Sequence, residues 1–393
     1  MNDCEKTGVV RLEDLPQNEI FIQLDRDFHD KLEKKIRCIG IEKFSRLMGS
    51  GRSIGHWLGE DRLIRLDILL KILRYFELNY DNKIEFIRGR DGFRIKNPKL
   101  PFNFTSLEGV RIIAGILGDG GIPTNKLNPY YTNSDQDLIN GYINDMKSVF
   151  GGIEFGVRQI YAINKPTTLL ELPSFVRKIF LRIGLRRGKK IITNPKIPSF
   201  IFTLSEDKKY SFLSHFIDDE GSINTVSKYL AITAGCHKNY DFPNVIKDLQ
   251  KLFWDVGIDS SLYEDAKSEL SNNKKFRLQI GGQFQLKKLN EHLNLRILKK
   301  RINLVKLCKS YKKRFFRRKD YLNTYVGFMR NIQNSKGYFT SRDVSLRSGM
   351  VVGSCRNLII RFKQRRYIRC IREYSRSPHE YARYVLNDNE NNF

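Results

Sequence analysis

A degenerate internal repeat in the middle of the chain constrains the fold more than any other feature. The first copy runs from Phe104 through an apolar stretch to Asp119-Gly120, and the second runs from Phe202 to Glu220-Gly221. Both copies place a Thr three residues before a Glu, which predicts a capping box at the start of a helix. Both end in an acid followed by Gly, a residue that can terminate a helix. The repeat therefore predicts one structural unit used twice.

The residues after each predicted helix indicate what that unit contains. In copy two, residues 228–234 and 276–280 alternate apolar with polar, as strands with one buried face do, and residues 245–256 between them have helical spacing. In copy one, residues 138–150 have helical spacing and residues 153–157 alternate. The order of helices and strands predicts an α+β fold made of a pseudo-twofold pair of αββαββα repeats.

Composition shifts divide the chain into four predicted parts. Residues 1–101 are expected to be helical and to end in a linker at Asn97–Pro101. Residues 102–204 and 205–310 contain the two repeats. Residues 311–393 include most of a strongly basic stretch that runs from Lys309 to Lys319, and are expected to form a basic linker and a winged-helix-like DNA-binding domain.

Net charge is the strongest signal in the composition. The 393 residues include 70 Lys and Arg against 43 Asp and Glu, giving a formal net charge of +27. Such an excess favours an anionic partner, with nucleic acid first and an acidic membrane surface second. Because 40% of the residues are hydrophobic, the chain has enough apolar material to bury cores and does not have the composition of a disordered protein.

Cysteine spacing and apolar run length indicate the compartment. The cysteines are scattered without a C-x-x-C pair, which argues against a structural zinc site or a disulfide framework. No apolar run approaches the ~20 residues needed to span a bilayer, and the charged N-terminus shows no secretory signal. We therefore expect an intracellular protein, cytoplasmic or associated with the nucleoid, with no membrane partner.

The acids that end the two repeated helices form the candidate active site. If the helices pack side by side, small residues would let them approach closely: Ala114, Gly115, Gly118 and Ser214. Asp119 and Glu220 would then lie together beneath a groove, where carboxylates and phosphate oxygens can hold hard divalent cations. Such cations can activate water and neutralise charge that develops on a phosphate.

These two segments resemble the paired motifs of single-chain LAGLIDADG homing endonucleases. The resemblance covers residues 104–310, and it includes the stretches at 184–190 and 197–201 that precede the second motif. It implies that Asp119 and Glu220 bind Mg²⁺, with Mn²⁺ as an alternative ion, and that the protein acts as a monomer. It also implies catalytic roles for Lys190, or its neighbour Lys189, and for Lys300.

Two positions depart from the family pattern. Ala114 stands where the family usually has Gly, and His215 takes the same position in copy two. His215 is expected to be an interface residue, with a metal-ligand role as the alternative. Asp218 is expected to position the site without binding metal.

The family's sheets lie along double-stranded DNA, and this implies which residues read it. The polar positions of the predicted strands are Arg158, Gln159, Arg277 and Gln279. Arg pairs well with guanine and Gln with adenine, so these four are the candidate base readers, with a solvated outer face as the alternative.

Both flanking regions resemble DNA-binding modules. Residues 41–58 resemble a helix-turn-helix with Gly49 in the turn, although an ordinary helical hairpin fits them too. Residues 339–372 resemble a winged helix: a capped helix, a recognition helix and a basic wing. Its candidate phosphate contacts are Arg356, Arg361, Arg365 and Arg366.

The sequence thus predicts a site-specific double-strand DNA endonuclease that hydrolyses phosphodiesters with metal assistance. Two alternatives remain open on the same scaffold: a DNA-binding transcriptional regulator that does not cleave, and an RNA-binding intron splicing factor. A self-splicing intein is not expected, because residue 1 is neither Cys nor Ser and the chain ends Asn391-Asn392-Phe393. Descent from an intron or intein endonuclease stays open.

Overall fold

A computed structural model describes residues 3–50, 53–61, 63–80, 82–124, 128–162, 165–265, 272–311, 321–365, 367–372 and 382–387. Within these ranges helices are mixed with several antiparallel sheets, which confirms the α+β class. None of the described helices is long and apolar enough to cross a bilayer. The chain divides into two compact units. The first comprises Met1–Gly221, Ile232–Leu278 and His292–Ile297, and the second comprises Ser222–Ala231, Gln279–Glu291 and Leu298–Phe393.

The N-terminal part combines helices with a sheet. Its elements are α1 (Asp3–Thr7), β1 (Val9–Val10), β2 (Phe21–Leu24), α2 (Arg26–Ile39), α3 (Ile41–Met48), α4 (Ser53–His56), β3 (Leu63–Arg65), α5 (Leu66–Tyr75), β4 (Ile84–Arg88), β5 (Arg94–Lys96) and β6 (Phe102–Asn103). As the helix-turn-helix pattern predicted, Gly49 ends α3 in the left-handed region (φ 62°), and Phe44 and Ile54 are buried. The second helix is short, since α4 has four residues and continues into a π-helical turn.

The expectation that this part is purely helical was wrong. Strands β3, β2, β4, β5 and β8 (Gly152–Ile153) form a five-stranded sheet in that order. The predicted linker is also held in place, because the Asn97 N–H donates to Glu85 O (2.7 Å) and the Lys99 N–H donates to Phe150 O (3.2 Å). These strands have three to five residues in the N-terminal part, too few for alternation to distinguish them from loops.

The first repeat begins with a buried helix. Its elements are α6 (Leu107–Leu117), β7 (Tyr130–Asn133), α7 (Gln136–Phe150), β8, β9 (Gly156–Ala162), β10 (Lys165–Glu171), α8 (Val176–Arg182) and α9 (Lys190–Thr193). Its sheet has the order β7-β10-β9, and an isolated bridge joins Gly121 to Tyr130 beside β7.

The sheet of the second repeat has one more strand than the sheet of the first. Its elements are α10 (Glu206–Glu220), β11 (Gly221–Asn224), β12 (Tyr229–His237), α11 (Asn244–Asp255), β13 (Ser261–Glu264), β14 (Asn273–Gly281), α12 (Gln283–His292) and α13 (Leu298–Lys309). Its sheet order is β11-β12-β14-β13. The sheet of the first repeat has the same order when the bridge at Gly121 is counted as its first strand. Gly121, β7, β10 and β9 then stand where β11, β12, β14 and β13 stand in the second repeat.

The predicted capping boxes of the two repeats were wrong. In copy one Ser106, one residue after Thr105, caps α6 by accepting from the Gly109 N–H (3.0 Å). In copy two Ser205 is the N-cap residue without a side-chain cap bond, while the Thr203 hydroxyl donates to Phe200 O (2.8 Å). A serine one or two residues after each threonine competes for the cap, and the sequence spacing alone did not separate the two.

The C-terminal part has its own hydrophobic core. It contains α14 (Tyr321–Lys336), α15 (Ser341–Ser348), α16 (Val352–Gln364), β15 (Ile368–Arg372) and β16 (Arg383–Leu386). Met329, Phe339, Val344 and Cys355 are fully buried in this core. The predicted capped helix is confirmed, because Thr340 and Asp343 form a capping box and Gly349 ends α15 in the left-handed region (φ 73°). The predicted recognition helix lies within α16, and the wing contributes β15, which pairs antiparallel with β16.

A buried lysine joins the second repeat to this C-terminal core. Lys228 lies in the turn before β12, is 5% exposed and has positive φ (58°). Its ammonium donates to Gly349 O (2.8 Å) and to Ser310 O (3.2 Å). Because these carbonyls belong to the ends of α15 and α13, the cation satisfies two helix C-termini at once.

Candidate metal centre and nucleic-acid surface

The first helices of the two repeats, α6 and α10, pack against each other in a seam with glycines at its closest points. A Cβ added at Gly115 would lie 2.9 Å from His215 Nε2, and a Cβ added at Gly118 would lie 2.8 Å from the Asp219 Cβ. Any larger residue at these positions would collide with α10, so glycine permits the close approach. The predicted side-by-side packing is confirmed, with Gly115 and Gly118 as the contact points.

Asp119 lies just beyond the end of α6 and is held from both repeats. Its N–H donates to Asp219 Oδ2 (3.3 Å). On the other side, Thr132 Oγ1 donates to the Asp119 carbonyl (2.9 Å) and Asn133 Nδ2 donates to Asp119 Oδ2 (2.8 Å). The residue is half-buried, so its carboxylate is oriented by neighbours while part of it faces solvent.

Two further acids end α10 beside it. Asp219, whose side chain is 0% exposed, accepts a hydrogen bond from the Tyr131 hydroxyl at Oδ1 (2.8 Å). Burial raises the pKa of Asp219 well above its usual value, and the nearby charges of Asp119 and Glu220 raise it further. Glu220 is the last residue of α10 and is half-buried. The ends of both helices therefore bring three carboxyl groups within electrostatic reach of one another.

Lys190 is the cation placed among these acids. It begins α9, and its ammonium donates to the Gly118 carbonyl at the end of α6. Burial lowers the pKa of Lys190, while the charges of Glu220, Asp119 and Asp219 oppose that shift. Its neighbour Lys189 is exposed, so the structure brings Lys190 rather than Lys189 to the acids.

A buried cluster of rings lies beneath the acids. Tyr131 and Tyr142 stack with ring centroids 4.1 Å apart, and His215 lies 5.9 and 6.0 Å from them. Within the described part of the chain, neither ring nitrogen of His215 has a hydrogen-bond partner. Burial lowers the pKa of His215 well below its usual value, so the ring is neutral. At 1% exposure it is an interior residue of the seam, as the first of its two predicted roles required.

A network of buried ion pairs fastens the other half of the seam. Asp145 on α7 is 2% exposed and accepts from the guanidinium groups of Arg111 (2.7 Å) and Arg296 (2.8 Å). Arg111 also donates to Ser211 Oγ on α10 (3.0 Å). Asp218 accepts the N–H groups of Arg296 (2.7 Å) and Ile297 (3.2 Å), and its role in positioning the site stays a prediction.

Two cavities open at the acidic helix ends. One has a volume of about 1000 Å³ and is lined by Asp119, Lys190, Thr124, His237 and Asn273, among others. The other, of about 230 Å³, is lined by Lys190 and Glu220. Lys190 therefore lies between the two acids that the sequence singled out.

The donor set fits a hard divalent cation. Carboxylate oxygens are the ligands that Mg²⁺ and Mn²⁺ take in proteins, and mutual repulsion among these acids would be relieved by a positive ion. Asp119 and Glu220 would hold such an ion, because Asp119 lines the larger cavity, Glu220 lines the smaller one, and Lys190 lines both.

A second group of potential ligands occurs on α2. Within the described ranges, ligand atoms of His29, Asp30 and Glu33 lie within 4.8 Å of one another. Glu33 is paired with Arg37 (2.7 Å), and His29 packs edge-on against Trp57 with ring centroids 5.0 Å apart. These contacts account for the group without a metal.

The predicted base readers lie on the strands as expected, and some already have partners. Arg158 and Gln159 are exposed on β9, where Arg158 pairs with Glu171 (2.9 Å) and Gln159 donates to Thr168 (3.0 Å). Arg277 on β14 is half-buried and lies 3.4 Å from Asp265, and Gln279 is half-buried on the same strand. Beside the first pair, Tyr161 is 83% exposed, an aromatic surface that the sequence analysis did not single out.

The remaining predicted contacts lie in the second unit. Arg356 and Arg361 are exposed on α16, and Arg365 is exposed at its C-cap. Arg366 lies outside the described residues. Lys300 is half-buried on α13, and its catalytic role stays a prediction.

Sequence reasoning missed three residues of the site. They are Asp219 and Asn133, which both hydrogen-bond to Asp119, and Tyr131, which donates to Asp219. None of the three has a sequence spacing that marks it in advance. The Asp-Asp-Glu run at 218–220 was the available signal, since it places one acid more than the pairing needs.

Comparison with known proteins gives low similarities. No family model matches the chain. The glutamine–fructose-6-phosphate aminotransferase (isomerizing) of Methanocaldococcus jannaschii is 24% identical over 369 residues, which cover 86% of this chain and 32% of that protein. The chain thus spans about a third of the length of this curated relative.

Solved structures with a similar fold include two kinds of protein. Mesophilic variants of the homing endonuclease I-DmoI match with a TM-score of 0.31 and 10% identity, over 57% of this chain and 99% of theirs. Full-length DUF199/WhiA from Thermotoga maritima matches with a TM-score of 0.35 and 12% identity, over 68% of this chain and 93% of its own. The N-terminal LAGLIDADG domain of DUF199/WhiA matches with a TM-score of 0.31 and 14% identity, over 50% and 87%. At these scores the likenesses carry no functional argument.

Proposed function

We propose that this protein is a site-specific double-strand DNA endonuclease of the LAGLIDADG type that uses a divalent metal ion. The observation that carries the proposal is the meeting of Asp119, Asp219 and Glu220 around Lys190 at the ends of α6 and α10. Three carboxyl groups brought together at the ends of two packed helices are costly for stability, which argues for a functional reason. One of them, Asp119, lines the cavity of about 1000 Å³.

Each residue of the site has a distinct proposed role. Asp119 and Glu220 hold Mg²⁺, which when bound polarises the scissile phosphate and lowers the pKa of water. Asn133 orients the Asp119 carboxylate through its 2.8 Å hydrogen bond. Lys190 places a positive charge beside the acids, where it can meet a phosphate oxygen as the backbone enters the cavity.

The charge of the chain supports DNA as the substrate. A net charge of +27 attracts a polyanion, and exposed basic residues on β9 and α16 supply contacts in both units. Arg158, Gln159, Arg277 and Gln279 are the proposed base readers, and Arg356, Arg361 and Arg365 the proposed phosphate contacts. The aminotransferase activity of the curated relative is not proposed here, because the match covers 32% of that protein.

The test is cleavage of an unbiased DNA library by the full chain with Mg²⁺ or Mn²⁺, followed by sequencing of the cut ends. We expect double-strand cuts at one long site. Asp119→Asn and Glu220→Gln should abolish cutting and leave binding to that site intact. Arg347→Ala, on an exposed position of α15 that is not among the predicted contacts, is the matched control and should still cut.

The second candidate is a DNA-binding regulator that does not cleave. It is favoured by the C-terminal core, where a capped helix, a turn at Gly349 and the exposed arginines of α16 form a DNA-binding arrangement without the acids. Tight binding of a defined site without cutting in either metal would establish this function and reject the nuclease.

A further inference from the structure

The side chain of Asp219 lies between the two helices α6 and α10, but Asp219 is not one of the two acids proposed to bind the metal ion. Its side chain is fully buried, and both of its oxygens accept from residues of the other repeat. Oδ1 accepts from the Tyr131 hydroxyl (2.8 Å), and Oδ2 accepts from the Asp119 N–H (3.3 Å). A buried carboxyl group costs stability unless its hydrogen bonds are satisfied, so these two donors explain how it is tolerated.

Gly118 creates the space that Asp219 fills. A Cβ at position 118 would lie 2.8 Å from the Asp219 Cβ and 3.0 Å from its Cγ, and closer still to Oδ2. One helix end therefore lacks a side chain where the other supplies a carboxyl group. The backbone of Gly118 (φ −80°, ψ −109°) leaves the helix there, so the next N–H, that of Asp119, points to the carboxyl.

The position of Asp119 depends on groups from both repeats, and Thr132 on β7 already holds its carbonyl (2.9 Å). Asp219 holds the backbone N–H, whereas Asn133 holds the carboxylate from β7. Loss of Asn133 would free the carboxylate to rotate, and loss of Asp219 would free the whole residue to move away from α10. The loss of Asp219 would therefore change the distance between Asp119 and Glu220, and the affinity for a cation that both residues bind depends on that distance.

We propose that Asp219 is a positioning residue, which fixes the Asp119 backbone against α10 so that Asp119 and Glu220 serve one cation. This inference rests on the proposed function. It distinguishes Asp219 from a third ligand, because its oxygens are committed to the Tyr131 hydroxyl and the Asp119 N–H. Groups that orient metal ligands through hydrogen bonds change metal affinity by about 10–100-fold when removed.

The test uses the full chain and Mn²⁺ alone as the probe. Metal affinity is measured by electron paramagnetic resonance titration, and seam integrity by thermal unfolding in the same buffer. Asp219→Ala should weaken Mn²⁺ binding by about tenfold or more. Asp219→Asn should keep Mn²⁺ affinity within about threefold, because its amide can accept from the Asp119 N–H and donate to the Tyr131 oxygen.

A double variant tests the fit between the two helices. Gly118→Ala should lower both the unfolding temperature and the Mn²⁺ affinity, because its methyl group displaces the Asp219 side chain. The double variant Gly118→Ala with Asp219→Ala should regain unfolding temperature relative to Gly118→Ala, but not Mn²⁺ affinity. If Asp219→Ala does not fold, Tyr131→Phe removes one of the two donors and should still weaken Mn²⁺ binding.

The matched control is a half-buried acid that also accepts from a backbone N–H. Asp248 accepts from the Ile197 N–H (2.9 Å) and does not line either of the two cavities, so Asp248→Ala should lower stability without changing Mn²⁺ affinity. Two results overturn the inference: equal loss of Mn²⁺ affinity in Asp219→Asn and Asp219→Ala identifies a ligand, and unchanged affinity in Asp219→Ala identifies a purely structural residue. A wild-type protein that neither binds Mn²⁺ nor cuts DNA refutes the proposed function instead.

Discussion

Removing the carboxylate of Asp145 tests whether the seam depends on its buried ion network. Asp145 is 2% exposed and accepts from Arg111 and Arg296, whose side chains are 20% and 24% exposed. The substitution Asp145→Ala leaves two largely buried guanidinium groups without this carboxylate. Taking one partner out of a buried ion pair costs about 3–5 kcal/mol, much more than the pair contributes in net terms.

The chain provides a matched exposed pair as a control. Arg158 pairs with Glu171 at 2.9 Å, close to the 2.7 and 2.8 Å of the Asp145 pairs, but the Arg158 side chain is 68% exposed. Solvent screens such a pair, so Arg158→Ala should change the free energy of unfolding by about 0–1 kcal/mol. The N–O distances of the Asp145 and Arg158 ion pairs are nearly equal, so the two variants differ mainly in how deeply the ion pair is buried.

The assay is calorimetric or fluorescence-monitored thermal unfolding of both variants beside the wild type. At about 2–4 °C per kcal/mol for a unit of this size, Asp145→Ala should lower the unfolding temperature by about 6–20 °C. Arg158→Ala should lower it by less than about 4 °C. Similar shifts for both variants, or a loss below about 1 kcal/mol for Asp145→Ala, would refute the view that this network fastens the two repeats.

Three further predictions concern charge. Burial lowers the pKa of Lys190, so the ammonium is lost as pH rises through a lower range than for an exposed lysine. Cleavage should decline over that range, and Lys190→Arg should remove the decline; an unchanged pH–rate profile in that variant contradicts a role for the charge. Arg361→Ala should weaken DNA binding and reduce the slope of log K against log salt by about 1, which filter binding at several salt concentrations measures; an unaltered slope excludes a phosphate contact. Lys228→Met leaves the Gly349 and Ser310 carbonyls without that donor and should cost about 1–3 kcal/mol, seen as earlier unfolding of the second unit in hydrogen exchange; no change in its protection rules out the anchor.

The parts of the fold that sequence predicted best are those with long periodic patterns. The helices α7 and α10 have 15 residues each, long enough for apolar periodicity to identify them. The capped helix predicted from residue 339 to Gly349 is confirmed for a different reason, since Thr340, Asp343 and Gly349 mark its ends by local chemistry. Local rules failed at α6 and α10, where Ser106 and Ser205 rather than the threonines are the cap residues.

The N-terminal sheet and the complete site could not be derived in the same way. Strand β8 pairs with β5 across more than fifty residues of sequence, and no local pattern encodes such a partner. The role of Asp219 depends on the absence of a side chain at Gly118, a residue about a hundred positions away. Asp119 and Glu220 could be found because each ends a repeated segment, whereas Tyr131 and Asn133 become visible only when β7 is placed beside the helix ends.

The mismatch between Gly118 and Asp219 also restricts which halves can associate. Two copies of the second repeat, paired through α10, would bring two buried Asp219 side chains face to face, with no glycine opposite either of them to leave room. Two copies of the first repeat, paired through α6, would face glycine with glycine and leave a gap that lacks packing contacts. Each half is thus fitted to the other and poorly fitted to itself.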